Sequence, residues 1–395
     1  SPATANTVSV TAGQTTGSID AAMQLLTREP YHPLTPARIA DTRTSHTTLH
    51  PGQTLNIQVT GAGGVPAGAT AAVLNVTATN PTAQSFLTVW PAGQTRPAAS
   101  NLNFAPGQSV PNLAEVGLGT NGQVSVFNAA GSVDVVVDVE GYAGPSTSAG
   151  AGLYKALTPK RITDTRASHT TLGPGGVLDV KVAGAGGVVP ASGAGAAVLN
   201  VTATNPTKQS FLTVWPKGKT QPTASNLNFS PGQTVPNRVQ VSLGTGGDVS
   251  IFNASGNVDV VVDVGGYFTD GSNPTATGAL FTPTNPIRIA DTRSSHSTLG
   301  ASSTLTVPVA GVDGLPPSGL TAAVMNVTAT NTTSSSFLTV WPSGFNRPTA
   351  SDLNWVPGET VPNLVVGTLG SNGAIQVFNA SGKADVVVDV SGGYS

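Results

Sequence analysis

The sequence predicts an all-β protein: three tandem antiparallel β-sandwich modules, jelly-roll-like or immunoglobulin-like, behind a short N-terminal strand-plus-helix extension. Three observations carry this prediction. Long blocks recur in one order: SFLTVWPAG around Trp90, SFLTVWPKG around Trp215 and SFLTVWPSG around Trp341, with LNVTATNPT at Leu74 and Leu199 returning as MNVTATNTT at Met325. The period, about 125 residues, is too long for a solenoid unit, so each copy reads as a complete domain. Short alternating apolar and polar runs, punctuated by Gly and Pro, predict strands joined by tight turns.

The elements follow in order. Residues 1–30 have no counterpart elsewhere in the chain. Thr7–Thr11 reads as a strand carrying Val8 and Val10. Residues 19–28 read as a helix, with Ser18 as N-cap, Pro30 as the stop, and Ile19, Ala22, Met23 and Leu26 on one face. A helix this short is marginal alone and has to dock. It either caps the first module or docks on a neighbouring molecule, where a strand can join an open sheet edge and head-to-tail contact builds a filament. Val8, Val10, Ile19, Met23 and Leu26 are the assembly candidates.

The first module spans 31–143. Leu55–Val59 alternates, Ala72–Thr79 sets Leu74 and Val76 opposite Asn75 and Thr77, and Leu102 and Phe104 oppose Asn101 and Asn103. Val133, Val135, Val137 and Val139 form a core face, with Asp134 and Asp138 behind it. A linker follows at 144–152, the second module at 153–268, a second linker at 269–278 and the third module at 279–395. Linkers this short predict modules lying like beads, touching or nearly so.

Composition narrows the function. A net charge of −2 gives no basic field for nucleic acid or anionic lipid, and no apolar run is long enough to span a bilayer. The absence of Cys excludes thiol nucleophiles and thiolate metal sites. Thr, Ser, Asn, Gly and Ala dominate, as in extracellular bacterial surface proteins, and Ser1-Pro2-Ala3-Thr4-Ala5 reads as a terminus left by export processing.

The charged residues concentrate in one motif: RIADTRTSH at Arg38, RITDTRASH at Arg161 and RIADTRSSH at Arg288. Read as extended backbone, Asp41 and Arg43 share a face, and Arg38 or Arg43 can bridge to Asp134 or Asp138 on the last strand, closing the module. The same latch is open to Arg161, Asp164, Arg166, Asp259 and Asp263, and to Arg288, Asp291, Arg293, Asp385 and Asp389. A triad of Asp41, Ser45 and His46 is the catalytic alternative. It lacks a nucleophile elbow and an oxyanion hole, so no enzyme is expected. Asp134 and Asp138 with Asp41 raise the thought of calcium, but no DxDxDG loop is present, and neither metal nor cofactor is expected.

The best binding candidate is the FLTVWP strand. Trp90 with Asn101 and Asn103, Trp215 with Asn226 and Asn228, and Trp341 with Asn354 could stack and hydrogen-bond a sugar; equally, the indoles could be core.

These blocks together, RIxDTR, LNVTATNPT, FLTVWPxG and VVVDVxGYF, resemble a repeat module of secreted actinobacterial proteins. The resemblance covers nearly everything after residue 30. It implies secretion and modularity, and brings no agreed activity. The expected function is a secreted, non-enzymatic structural subunit of an extracellular filament, sheath or surface layer, docking through its N-terminal extension and partnered mainly with itself. The alternative is a multivalent carbohydrate-binding or cell-wall adhesin with one weak site per module, partnered with polysaccharide.

Overall fold

The computed structural model describes residues 28–312 and 314–395. The expected strand at 7–11 and almost all of the helix at 19–28, with Val8, Val10, Ile19, Met23 and Leu26, lie outside the described residues.

Each copy lays down the same strands. In the first they are β1 (Tyr31–Asp41), β2 (Thr54–Gln58), β3 (Ala71–Thr79), β4 (Ser85–Pro91), β5 (Leu102–Phe104), β6 (Val110–Gly117), β7 (Gln123–Asn128) and β8 (Asp134–Ala143). They pair antiparallel into two four-stranded sheets, ordered β1-β8-β3-β6 and β2-β7-β4-β5. The other two copies repeat both sheets, so the described residues form an all-β body of six small sheets. The second copy's first strand begins at Ala151, inside the expected linker, and its last runs to Asp270.

Valine-rich alternation supplies a core to each copy. In the first, Leu74, Val76, Leu87, Val89, Val126, Val135 and Val137 are buried together, drawn from both sheets. Modules lying as separate beads would leave the second face of β3 to water, yet every residue of β3 is buried. Its second face feeds a fourth core that gathers Val73 and Leu113 from copy one, Val198 and Phe268 from copy two, and Val324, Leu364 and Tyr394 from copy three. An aromatic chain closes this core, with ring centroids 4.3 Å apart for Tyr31–Phe268 and for Tyr154–Tyr394, and 5.1 Å for Phe281–Tyr394.

This fourth core corrects the expected fold class. Three tandem sandwich modules strung as beads do not form. The six sheets instead stand about one shared centre as the blades of a single propeller-like body. The linkers misled because a short connection is as compatible with copies folded back on one another as with copies in a row; burial of the outer faces decides between these.

Asparagine cements the centre. Asn75 Nδ2 donates to Ser225 O (2.7 Å), Asn200 Nδ2 to Ser351 O (2.8 Å) and Asn326 Nδ2 to Ser100 O (2.6 Å), so copy one grips two, two grips three and three grips one. A second ring runs the other way: Asn112 to Asn326 (2.8 Å), Asn237 to Asn75 (3.1 Å) and Asn363 to Asn200 (3.0 Å). Buried amides are tolerated because their donors and acceptors are matched across the copy boundaries.

The chain has two distinguishable ends. At one, β1 starts, β8 finishes and Glu29 exchanges two 3.0 Å backbone hydrogen bonds with Phe281 of copy three. At the other lie Thr79, Val110 and Asp134, one strand length away.

Candidate functional site: latches, axial keys and an end depression

The RIADTRTSH motif is a latch with a turn built in. It is not extended throughout, as expected; the strand stops at Asp41. Asp41 then caps a one-turn helix (Thr42–Ser45), its carboxylate accepting from Arg43 N, and His46 ends that turn at φ 54. Asp N-caps and left-handed terminal residues satisfy free helix-end groups, and this is why Asp and His sit at these spacings. The same geometry recurs at Asp164 and His169, and the third copy makes a turn there. Arg38 grips Asp138 through two bonds, 2.9 and 3.1 Å, across the β1–β8 pairing; Arg161 grips Asp263 and Arg288 grips Asp389 in the same way. Arg43, Arg166 and Arg293 stay local, on Asp41, Asp164 and Asp291, and hold those carboxyls below their ordinary range through side-chain hydrogen bonds. Asp134 has no direct arginine partner. It accepts from Thr42, Thr48 and Asn80. Asp259 and Asp385 receive the equivalent bonds.

Arg38→Ala is expected to lower stability by about 2 kcal/mol, because Asp138 is buried and loses both charged donors, while part exposure of the arginine limits the loss. Asp41→Ala should cost about 1 kcal/mol, the worth of an N-cap. Chemical denaturation midpoints check both; unchanged midpoints would leave the motif without a structural role.

The sugar-site expectation for tryptophan is corrected. Trp90, Trp215 and Trp341 are each 5 % exposed, and their indole N–H groups donate to Gln94 O, Lys219 O and Phe345 O. The loop after β4 folds back over the ring, an event that strand alternation cannot register. Asn101 and Asn226 are also buried, accepting from Val89 N and Val214 N. Asn103, Asn228 and Asn354 are not buried.

These three amides line a depression of about 1480 Å³ at the axial end away from Glu29, built from all three copies. Phe86 stands opposite Asn103 in the β4–β5 pairing, Phe211 opposite Asn228 and Phe337 opposite Asn354, giving three aromatic–amide pairs. Arg166 and Arg293 reach its rim. Two of the large apolar side chains most exposed among the described residues, Phe86 (37 %) and Val356 (50 %), lie on this wall. Copy three breaks the repetition, with Trp355 and Glu359 where the others have phenylalanine and glutamine.

Sequence reading missed the groups on the axis. Arg238 and Asp352, each 3 % exposed at the side chain, pair at 2.8 Å between copies two and three. The equivalent residues elsewhere are Leu113 and Leu364, and Asn101 and Asn226. Glu115 accepts from Tyr394 (2.5 Å) and Gln240 (2.7 Å), and burial pushes its carboxyl up to about 7. Glu140 accepts from Asn226 (2.6 Å) and Gln240 N (3.2 Å), and burial pushes it up to about 8. Each key joins different copies. A signal was available: these are positions where otherwise matching copies differ in charge. Sealed from solvent, these groups position the copies and offer no access to substrate. Among the described residues no group of three or more His, Asp or Glu side chains is arranged to hold a metal, and no helix is long and apolar enough to cross a membrane.

No family model and no curated protein matches this chain. Solved structures do. One, described as the atomic structure of Sulfolobus Turreted Icosahedral Virus, is 10% identical over 88% of this chain and 84% of that one, with a TM-score of 0.18. Another, described as the triple jelly roll fold and turret assembly in an archaeal virus, is 8% identical over 91% of this chain and 95% of that one, with a TM-score of 0.18. Scores this low carry no argument about fold or function.

Proposed function

We propose that this protein is a secreted, non-enzymatic structural subunit that assembles end to end into an extracellular filament, sheath or layer through its N-terminal extension. One observation carries the reading: the described chain begins at one end of a body with unlike ends, and a depression built from all three copies opens at the other. A polar subunit with unlike ends makes heterologous contacts, which build open chains. The low charge suits close packing. Negative-stain electron microscopy of the full chain and of a chain lacking residues 1–27 tests it. Filaments or sheets from the first alone are expected; single particles from both would end the reading.

A second reading, a multivalent glycan-binding adhesin, draws support from the three aromatic–amide pairs in the depression, since sugars stack on rings and bond to amides. On this reading a glycan array should show binding that falls at least about tenfold when Phe86, Phe211 and Phe337 are changed to Ala together. Binding that survives, or no binding at all, would discard it.

A further inference from the structure

We infer that copy one is a hinged leaf of the ring: it swings out on the linker at 144–150 when Glu115 and Glu140 lose their protons, while copies two and three stay joined. Opening of this kind concerns the body alone and does not depend on end-to-end assembly.

The three boundaries between copies are built alike. β6 is an edge strand of its sheet, and an asparagine of the next copy meets its outward backbone amide. Leu113 N donates to Asn237 Oδ1 (3.3 Å), Arg238 N to Asn363 Oδ1 (3.2 Å) and Leu364 N to Asn112 Oδ1 (3.0 Å). The boundaries differ in their covalent bridge. The chain crosses from copy one to two at 144–150 and from two to three at 271–280. Between three and one, contacts alone close the ring. Among them are the Glu29–Phe281 backbone pair, Asn326 on Ser100 and, near the surface, Asn285 Nδ2 on Thr95 O (3.3 Å).

The buried keys sort the same way. Copies two and three share the Arg238–Asp352 pair, which persists as pH rises because arginine keeps its proton. Copy one instead presents two buried carboxyls to neutral donors. Glu115 meets Tyr394 of copy three and Gln240 of copy two; Glu140 meets Asn226 and Gln240 N of copy two. Protonated, these acids suit a sealed interface; ionised, each is a charge without a partner. The groups around them supply no countercharge. Tyr31, Tyr154 and Tyr394 are phenols that burial holds protonated. Asp138 adds like charge to Glu140 and is itself bound to Arg38, and Arg238 is taken by Asp352. Burial places the two acids at about 7 and about 8, so their protons leave between weakly acidic and alkaline conditions. Moving copy one outward returns both carboxylates to water and leaves the Arg238–Asp352 pair intact.

Hydrogen exchange on the full chain tests this at about pH 5 and about pH 8.5, resolved to single residues and corrected for the pH dependence of chemical exchange. The amides of Leu113, Leu364 and Arg238 report the three boundaries. At the higher pH, Leu113 and Leu364 are expected to lose protection by at least about tenfold, while Arg238 keeps its own. Equal loss at all three, or at none, overturns the inference. Two variants fix the cause. Glu115→Gln is expected to keep Leu364 protected at about pH 8.5; a loss as large as in the unaltered chain removes the carboxyl as the trigger and overturns the inference. Thr95→Cys with Asn285→Cys, joined by a short bismaleimide, clamps the boundary that has no linker and leaves both glutamates in place; the chain has no other Cys. The clamped chain should hold Leu364 protected at both pH values. A loss that the clamp does not reduce would mean local fraying instead of departure of copy one, and would overturn the inference.

Discussion

Replacing Arg238 with Leu is expected to destabilise the protein by about 3–5 kcal/mol, and adding Asp352→Asn should restore most of that loss. Arg238 and Asp352 meet at 2.8 Å with almost no solvent contact, between copies two and three. Arg238 also donates to Leu364 O, and Asp352 accepts from Val340 N. Removing the guanidinium leaves a carboxylate with no countercharge in a sealed interface. Burial already raises the Asp352 carboxyl despite the arginine beside it, which shows how strongly this environment opposes the charge. The double variant is informative because the protein has tried it twice: the other copy boundaries carry Leu113 facing the copy that holds Asn226, and Leu364 facing the copy that holds Asn101. Urea midpoints of the two single variants and the double complete the cycle. Purely additive losses would mean that the pair is not the coupling element between these copies. If the cycle closes as expected, the pair serves specificity: it marks which copy neighbours which in a ring of near-identical parts.

Stability is expected to fall as pH rises from about 5 to about 8, by several kcal/mol, the reverse of a protein governed by surface ion pairs. Glu115 and Glu140 are both held near or above neutrality by burial, at about 7 and about 8 against an ordinary 4.5. Across that window the folded chain keeps protons that the unfolded chain has released, so each step up in pH favours unfolding. At 1.36 kcal/mol per unit the two groups are each worth roughly 3–5 kcal/mol, fully present below about pH 4.5 and lost by about pH 8. The latch carboxyls Asp41, Asp164 and Asp291 act oppositely, since their arginines lower them; their contribution disappears as pH drops below about 4. A stability maximum near pH 4–5 follows. Glu115→Gln should shrink the difference between pH 5 and pH 8.5 by roughly 3 kcal/mol, because Tyr394 can turn its hydroxyl to suit an amide and Gln240 has a free carbonyl oxygen. Denaturation midpoints at the two pH values decide it. An equal decline in the variant would remove Glu115 from the account.

Much of the local structure was legible before any coordinates. Alternation placed the strands, and the repeat placed their equivalents. Arg38 and Asp138 could be matched across the first and last strands because β1 and β8 pair in register there. The turn after Asp41 was missed, although an Asp followed by Thr-Arg-Thr-Ser is an N-cap signal. The tryptophans stayed ambiguous because both faces of their strand are apolar, and only the loop folded over Trp90 decides exposure.

By itself, the sequence determined composition, strand content, the repeat and the latch within each copy, all of which depend on residues close in the chain or on a period of two. Tertiary structure alone decided that the copies share one centre, that Asn75 and Asn112 join copies rather than meet water, and that a depression forms from Phe86, Phe211 and Phe337. The physical reason is that alternation reports only that one face of a strand is apolar. Small or amide side chains on the opposite face, such as Ala71, Val73 and Asn75, are acceptable to water and equally able to pack against a second copy. Which of these happens depends on surfaces more than 100 residues apart along the chain, joined here by bonds such as Asn75 to Ser225.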